Sequence, residues 1–173
     1  MQNKSLIDID QKKIYFFSEK KGYRISYNMS KLKFSTPIFY NHFGIENYNN
    51  KEIINIYLDT SDNEKYNFLT QIQNLENFFD NLINNTSVSK DLIKDLNNKI
   101  YYHSIKKSLN GNNFRVHLKN TDIYKMINGK KIILTKKEIV KKKCIFEIEL
   151  SNLWINDFKY GLIWYVTKIE IMD

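Results

Sequence analysis

Apolar positions in the first third of the chain come in short bursts between polar turns. Residues 14–17 and 23–27 read as two short strands around Ser18-Glu19-Lys20-Lys21-Gly22. In residues 32–40, Leu32, Phe34 and Thr36 alternate with Lys33 and Ser35, the two-residue period of a half-buried strand. Residues 52–59 read as a further strand. Pro37 has no N–H to give to a ladder, so its strand is expected at a sheet edge or at a bend.

The pattern then changes period. Phe68, Leu69, Ile72, Leu75, Phe79, Leu82 and Ile83 recur at three- and four-residue spacing, which predicts one long helix over residues 64–84. Ser61 or Asp62 can cap its start, and Asn84-Asn85 can end it. A shorter helix is expected over residues 89–98. From residue 100 the signal is all strand: 100–105, 114–119, 122–127, 131–134, 144–154 and 162–171. Asn128-Gly129 is a hairpin turn signal, and Asn110-Gly111-Asn112-Asn113 marks another turn. Many short strands with an inserted long helix imply a mostly β fold of the α+β class, and a small barrel or curled sheet.

The chain has 173 residues, 42% of them hydrophobic, one proline and one cysteine, Cys144. These fit a single domain over residues 1–173, with residues 1–31 as an N-terminal strand extension. One cysteine excludes an intrachain disulfide framework and points to a reducing compartment. The N-terminus lacks the apolar run of a signal peptide, and no stretch is long enough for a membrane helix. A soluble, intracellular protein with no membrane association is expected.

No active site emerges from the sequence. His42, His103 and His117 are scattered, no Cys/His pair has zinc spacing, and no GxGxxG, P-loop or GxSxG occurs. Neither an enzyme nor a cofactor is expected, and Asp8 and Asp10 read as a solvated edge.

Charge is informative in its distribution. The overall balance is +8, in a chain without alanine and with arginine only at 24 and 115, the mark of an AT-rich coding bias. Such a bias would spread lysines evenly. Instead residues 1–86 carry ten basic and ten acidic side chains, while residues 99–143 carry thirteen basic and two acidic, a net of +11. A cationic segment of this kind suits a phosphate backbone. Lys106, Lys107, Arg115, His117, Lys119, Lys130 and Lys131 are the expected contacts. Tyr101, Tyr102 and Tyr124 lie among them, and aromatic faces beside such a groove can stack unpaired bases. The remaining lysines of the segment, Lys136-Lys137 and Lys141-Lys142-Lys143, extend the patch. A protein-binding scaffold barrel and an RNA-binding module are the competing readings.

Several stretches resemble a family of viral single-stranded-DNA-binding proteins of nucleocytoplasmic large DNA viruses, distantly similar to the phage T7-type protein. They are Phe34-Ser35-Thr36-Pro37, Phe43-Gly44-Ile45, Tyr101-Tyr102-His103-Ser104-Ile105-Lys106, Phe114-Arg115-Val116-His117-Leu118, Leu150-Ser151-Asn152-Leu153-Trp154-Ile155 and Tyr160-Gly161-Leu162-Ile163-Trp164. The resemblance implies an OB-fold-like five-stranded barrel with N-terminal strand additions. It implies single-stranded DNA as ligand, in replication, recombination or repair in the host cytoplasm or nucleus. It also implies replication proteins such as a DNA polymerase as partners, and it leaves a homo-oligomer open. Pro37, Gly44, Trp154 and Gly161 are expected to set the fold, with Trp154 as the barrel's anchor. The T7-type proteins end in an acidic tail, whereas this chain stops at Glu170-Ile171-Met172-Asp173.

Overall fold

The computed structural model describes residues 9–58, 62–84, 88–108 and 111–172. The first eight residues, Ser61, Asn85 and Asn110 lie outside the described residues. The strands are β1 (Ile14–Glu19), β2 (Gly22–Tyr27), β3 (Leu32–Ser35), β4 (Phe39–Asn41), β5 (Glu46–Tyr48), β6 (Lys51–Leu58), β7 (Ile100–Tyr102), β8 (Ile105–Ser108), β9 (Gly111–Ile127), β10 (Lys130–Ile133), β11 (Lys142–Ile155) and β12 (Lys159–Met172). Between β6 and β7 lie α1 (Asn63–Asp80) and α2 (Lys90–Leu96).

Local sequence explains most of these boundaries. Asp62 caps α1, its carboxylate accepting the Glu64 and Lys65 N–H groups at 2.8 and 3.3 Å. The helix stops at Asp80, short of the expected 84, and a 3-10 turn follows over Leu82–Asn84. Ser89 caps α2 by accepting the Leu92 N–H. Pro37 divides the expected strand 32–40 into β3 and β4. At that break the Thr36 hydroxyl accepts the Phe146 N–H at 3.0 Å, so a side chain takes over where the ladder is interrupted. The two strands expected over 114–127 are one bent strand, β9, that turns at Asn120 with φ 49°. Asn128 and Gly129 both have positive φ, as a two-residue hairpin between β9 and β10 requires.

The strands form one sheet ordered β1-β2-β11-β12-β9-β6-β5, with the five shorter strands attached to its sides. The sheet is open, and the expected five-stranded barrel is not closed by hydrogen bonds among the described residues. A ring through β4, β11, β12, β9 and β6 comes close to closing, since β4 lies beside β6. No ladder joins those two strands among the described residues. Rings span the seam instead: His42 and Phe43 each stand 6.0 Å from Tyr57. The shorter helix expected over residues 89–98 is α2, beside the one long helix α1.

The core lies between the sheet and α1. Phe68 meets Phe39 and Phe114, and Phe79 meets Phe16 and Phe78. Trp164 is 1% exposed, packs on Phe34 and Phe114, and donates its indole N–H to Ser104 Oγ at 3.0 Å. The anchor is therefore Trp164, and Trp154, expected in that role, is only half-buried. Glu76 of α1 is buried beneath the sheet, accepting the Ser104 N–H at 2.5 Å and the Tyr101 hydroxyl at 3.4 Å.

Two stability predictions follow from this packing. Phe114→Ala should cost about 3–5 kcal/mol, read as a lower urea midpoint by tryptophan emission, because Phe114 has no exposed surface and touches both α1 and Trp164. Glu147 joins β3, β11 and β12. Burial pushes its carboxyl up, but hydrogen bonds from Thr167, Lys168 and Lys33 outweigh that and hold it at about 2. An unfolded glutamate titrates near about 4.3, so its contribution is complete above that pH and disappears as pH falls toward 2. Glu147→Gln should therefore flatten the fall in melting temperature between roughly pH 4.5 and 2. An unaltered acid profile would contradict the assignment.

Candidate nucleic-acid interface

Opposed residues in a ladder, and residues two apart along a strand, share one face of a sheet. Trp154 of β11 is opposite Gly161 of β12, and Gly161 is opposite Tyr102 of β7. Two steps of two residues along β12 lead to Tyr165, which is opposite His117 of β9. Arg115 and Asn113 follow at two-residue intervals along β9. Asn113 is opposite Lys106 of β8, and Arg115 is opposite Asn55 of β6. Arg24 of β2 is opposite Asn152, two residues before Trp154. All these side chains lie on the face turned away from the core, where Phe114, Val116, Leu162, Trp164 and Val166 are buried.

On this face cations sit over rings. Lys106 Nζ is 3.2 Å from the Tyr102 ring centre and Lys159 Nζ is 5.5 Å from it. Arg115 lies 4.4 Å over Tyr48, Lys119 5.2 Å over Tyr165, and Arg24 5.0 Å over Phe17. Trp154 stands edge-on to Tyr102 at 6.1 Å. Gly161 forms the floor between them. A Cβ there would come within 2.7 Å of the Tyr102 carbonyl oxygen and 3.0 Å of the Trp154 indole nitrogen, so only a bare α-carbon lets both rings approach.

The expected contact residues divide into three groups. Tyr102, Lys106, Arg115, His117 and Lys119 belong to the face just described. Lys107 is exposed on the same short strand as Lys106. Tyr124, Lys130 and Lys131 lie at the far end, by the β9–β10 hairpin. There two of the three are already engaged: Lys131 pairs with Asp122 at 3.1 Å and Tyr124 donates to Glu170 at 3.2 Å. Burial, then Glu170, raises the Tyr124 pKa. Tyr101 departs from its expected role, being buried with its hydroxyl on Glu76 and its pKa raised well above 10.0, first by burial and then by that carboxylate. Neighbouring residues of a strand point to opposite faces, so Tyr101 and Tyr102 could not both face a ligand.

The +11 segment does not make one groove. Lys137, Lys141, Lys142 and Lys143 line a separate cleft of about 750 Å³ with Tyr40 and Val140. Lys143 is opposite Met172 at the end of β12, whereas Tyr102 is opposite Gly161 near its start. At the usual rise the two positions on β12 are about 36 Å apart. Between them Glu147 and Glu149 take up Lys31, Lys33 and Lys168.

Tyr48, Lys159 and Tyr165 were not among the expected contacts. Alternation along residues 162–166 does put Tyr165 opposite in face to Trp164, which was a usable signal. Lys159 and Tyr48 gain their roles only from register. Among the described residues no three His, Cys, Asp or Glu side chains form a metal-binding group, and no helix is long and apolar enough to cross a membrane.

The fold is similar to that of a class of phage proteins. A C-terminally truncated single-stranded DNA-binding protein from bacteriophage Enc34 aligns with a TM-score of 0.50 and 10% identity, over 93% of this chain and 94% of that one. That protein in complex with ssDNA aligns at a TM-score of 0.48 and 11% identity, over 93% and 96% of the two chains. At these identities the likeness is one of fold. It is also to a bacteriophage protein, where the sequence motifs had suggested nucleocytoplasmic large DNA viruses. No family model and no curated protein matches the chain.

The floor residue gives a direct test of the site's geometry. Gly161→Ala should displace Trp154 and Tyr102, cost about 1–3 kcal/mol through overpacking, and alter tryptophan emission in the folded state. An unchanged urea midpoint and an unchanged spectrum would show that the two rings do not depend on that bare α-carbon.

Proposed function

We propose that this protein binds single-stranded DNA without sequence readout, in replication, recombination or repair. One observation carries the reading: Tyr102, Trp154 and Tyr165 share a sheet face with Lys106, Lys159, Lys119 and Arg115. Rings offer stacking surface to any base, and the cations meet the backbone that runs between bases. The strand would lie along β12 and cross β9, with Tyr102 and Trp154 at one end and Tyr165 and Arg115 at the other. Fold likeness to a phage protein named for single-stranded DNA binding supports the same reading. The seam between β4 and β6 fits a partly open OB barrel of five strands. The role is one of binding, with replication proteins as candidate partners.

A second reading has an observation of its own. The β9–β10 hairpin exposes Met126, Ile127, Ile132 and Ile133, and exposed apolar groups on an edge suit a protein contact. Competition among oligo-dT, oligo-U and a duplex, with the hairpin variant Ile132→Lys as control, separates the readings.

Oligo-dT titrated against tryptophan emission at several salt concentrations should show tight, salt-sensitive binding. Tyr102→Ala and Tyr165→Ala should each weaken it by about 1–3 kcal/mol. Lys106→Gln and Lys159→Gln should each lower the slope of log K against log salt by about 0.7. Lys131→Gln, whose parent side chain is held by Asp122, should change the slope little. No binding at low salt, or binding indifferent to salt, would refute the proposal.

A further inference from the structure

Where β6, β9 and β12 meet, the surface opens into a cleft of about 480 Å³ lined by Asn50, Lys51, Glu52, His117, Lys119 and Tyr165. That size accommodates a small ligand such as one nucleotide. His117 Nδ1 is enclosed and has no hydrogen-bond partner among the described residues. An enclosed polar atom left unpaired costs about 1–3 kcal/mol. The imidazole could relieve that cost by turning its nitrogen toward the cleft.

Charge sharpens the point. Burial, then Lys51 and Arg115, lower the His117 pKa below 6.5, so the ring is neutral at pH 7. The carboxylates nearby are committed elsewhere. Glu52 is held by Lys136 at 2.5 Å, Glu46 by Asn55 at 2.8 Å, and Glu149, opposite Tyr165, by Lys31 at 2.8 Å. The remaining groups about the ring are Lys51 from β6, Arg115 and Lys119 from β9, and the Tyr165 ring of β12 at 6.1 Å. Among the described residues, each of these nearby carboxylates thus already has a partner other than the imidazole. An external anion would supply what the fold withholds.

Resting on the nucleic-acid reading, we propose that this cleft seats one nucleotide of the bound strand, with its base against Tyr165 and its phosphate between Lys51 and Lys119, and that His117 donates to that phosphate as an imidazolium. The proton comes from solvent when the strand binds and returns to solvent when it leaves. The phosphate offsets the fields of Lys51 and Arg115 and accepts the new N–H, so the bound form holds more protons than the free form. Affinity therefore rises as pH falls through the range where free His117 is neutral.

The test measures oligo-dT affinity from pH 8 to 5.5 at fixed salt, for the unaltered protein and for His117→Asn. Each unit by which binding raises the His117 pKa gives about a tenfold gain in affinity below it. The unaltered protein should gain several-fold in affinity from pH 8 toward pH 6, while the affinity of His117→Asn, whatever its value at pH 8, should not rise over that range. Calorimetry at pH 6.5 in two buffers of different ionisation heat should show proton uptake for the unaltered protein alone. If the variant does not fold, the His117 ring resonances of the unaltered protein, titrated with and without oligo-dT, give the same pKa comparison. Matching pH profiles in the two proteins, or a His117 pKa that DNA does not raise, would overturn the proposal while leaving single-strand binding intact. Failure of the unaltered protein to bind oligo-dT at any pH would remove both.

Discussion

The parallel register of β12 against β7 and β9 fixes the geometry of the candidate face. β12 is 14 residues long and pairs antiparallel with β11 along one edge. Along the other edge it pairs with two strands far from it in sequence, β7 at Lys159–Gly161 and β9 from Tyr165 onward. This register sets Tyr102, Gly161 and Trp154 in one row and Tyr165 beside His117. A slip of one residue in either ladder would turn Tyr102 or His117 to the other face. The pairing is held from below, because Trp164 lies between those two rows and is tied to Ser104, whose N–H is in turn bound by buried Glu76. The polar network under α1 and the aromatic row on the opposite face are thus consequences of one alignment.

Electrostatics divide the same sheet lengthwise. Near the start of β12 the cations lie over rings and have few carboxylates near them. Toward its end Lys33, Lys168 and Lys131 are matched by Glu147 and Asp122. A cation over an exposed ring gains about 0.5–1 kcal/mol, whereas Glu147 draws on three hydrogen-bond donors at once. The first arrangement is weak enough to be given up to a competing partner; the second is structural. Net charge by segment does not separate the two, since Lys119 and Lys131 belong to the same cationic run.

What was legible in the sequence was local. The three- and four-residue spacing found α1, alternation found the long strands, and Asn128-Gly129 found a hairpin. Each of those signals is set by neighbours within a few positions. The barrel expectation lies beyond the reach of local patterns, since closure depends on whether β4 and β6 hydrogen-bond. Trp154 was expected as the anchor, but both tryptophans lie in strands with dense apolar residues. Only the pairing of β11 with β12 tells which indole faces α1. Tyr101 and Tyr102 were proposed together, although strand alternation alone allows just one of them on a given face. Lys159 and Lys51 carried no signal, being placed by partners more than fifty and sixty residues away in β7 and β9.

The cations over Tyr102, Tyr165 and Tyr48 bear on how such a face could ignore sequence. A side chain that reads a base by hydrogen bonds discriminates among bases, because each edge presents a different set of donors and acceptors. A ring does not, since every base has a π-face. On this face the ring faces are already occupied by ammonium and guanidinium groups, held by about the energy of one weak contact. On the proposed reading a stacking base would displace the cation, which would then lie close to the phosphate that follows the base. Binding at each ring would be an exchange, with stacking and phosphate neutralisation gained together and one cation–π contact given up. Any base could make that exchange, and its salt dependence would be set by the number of phosphates neutralised rather than by the identity of the base.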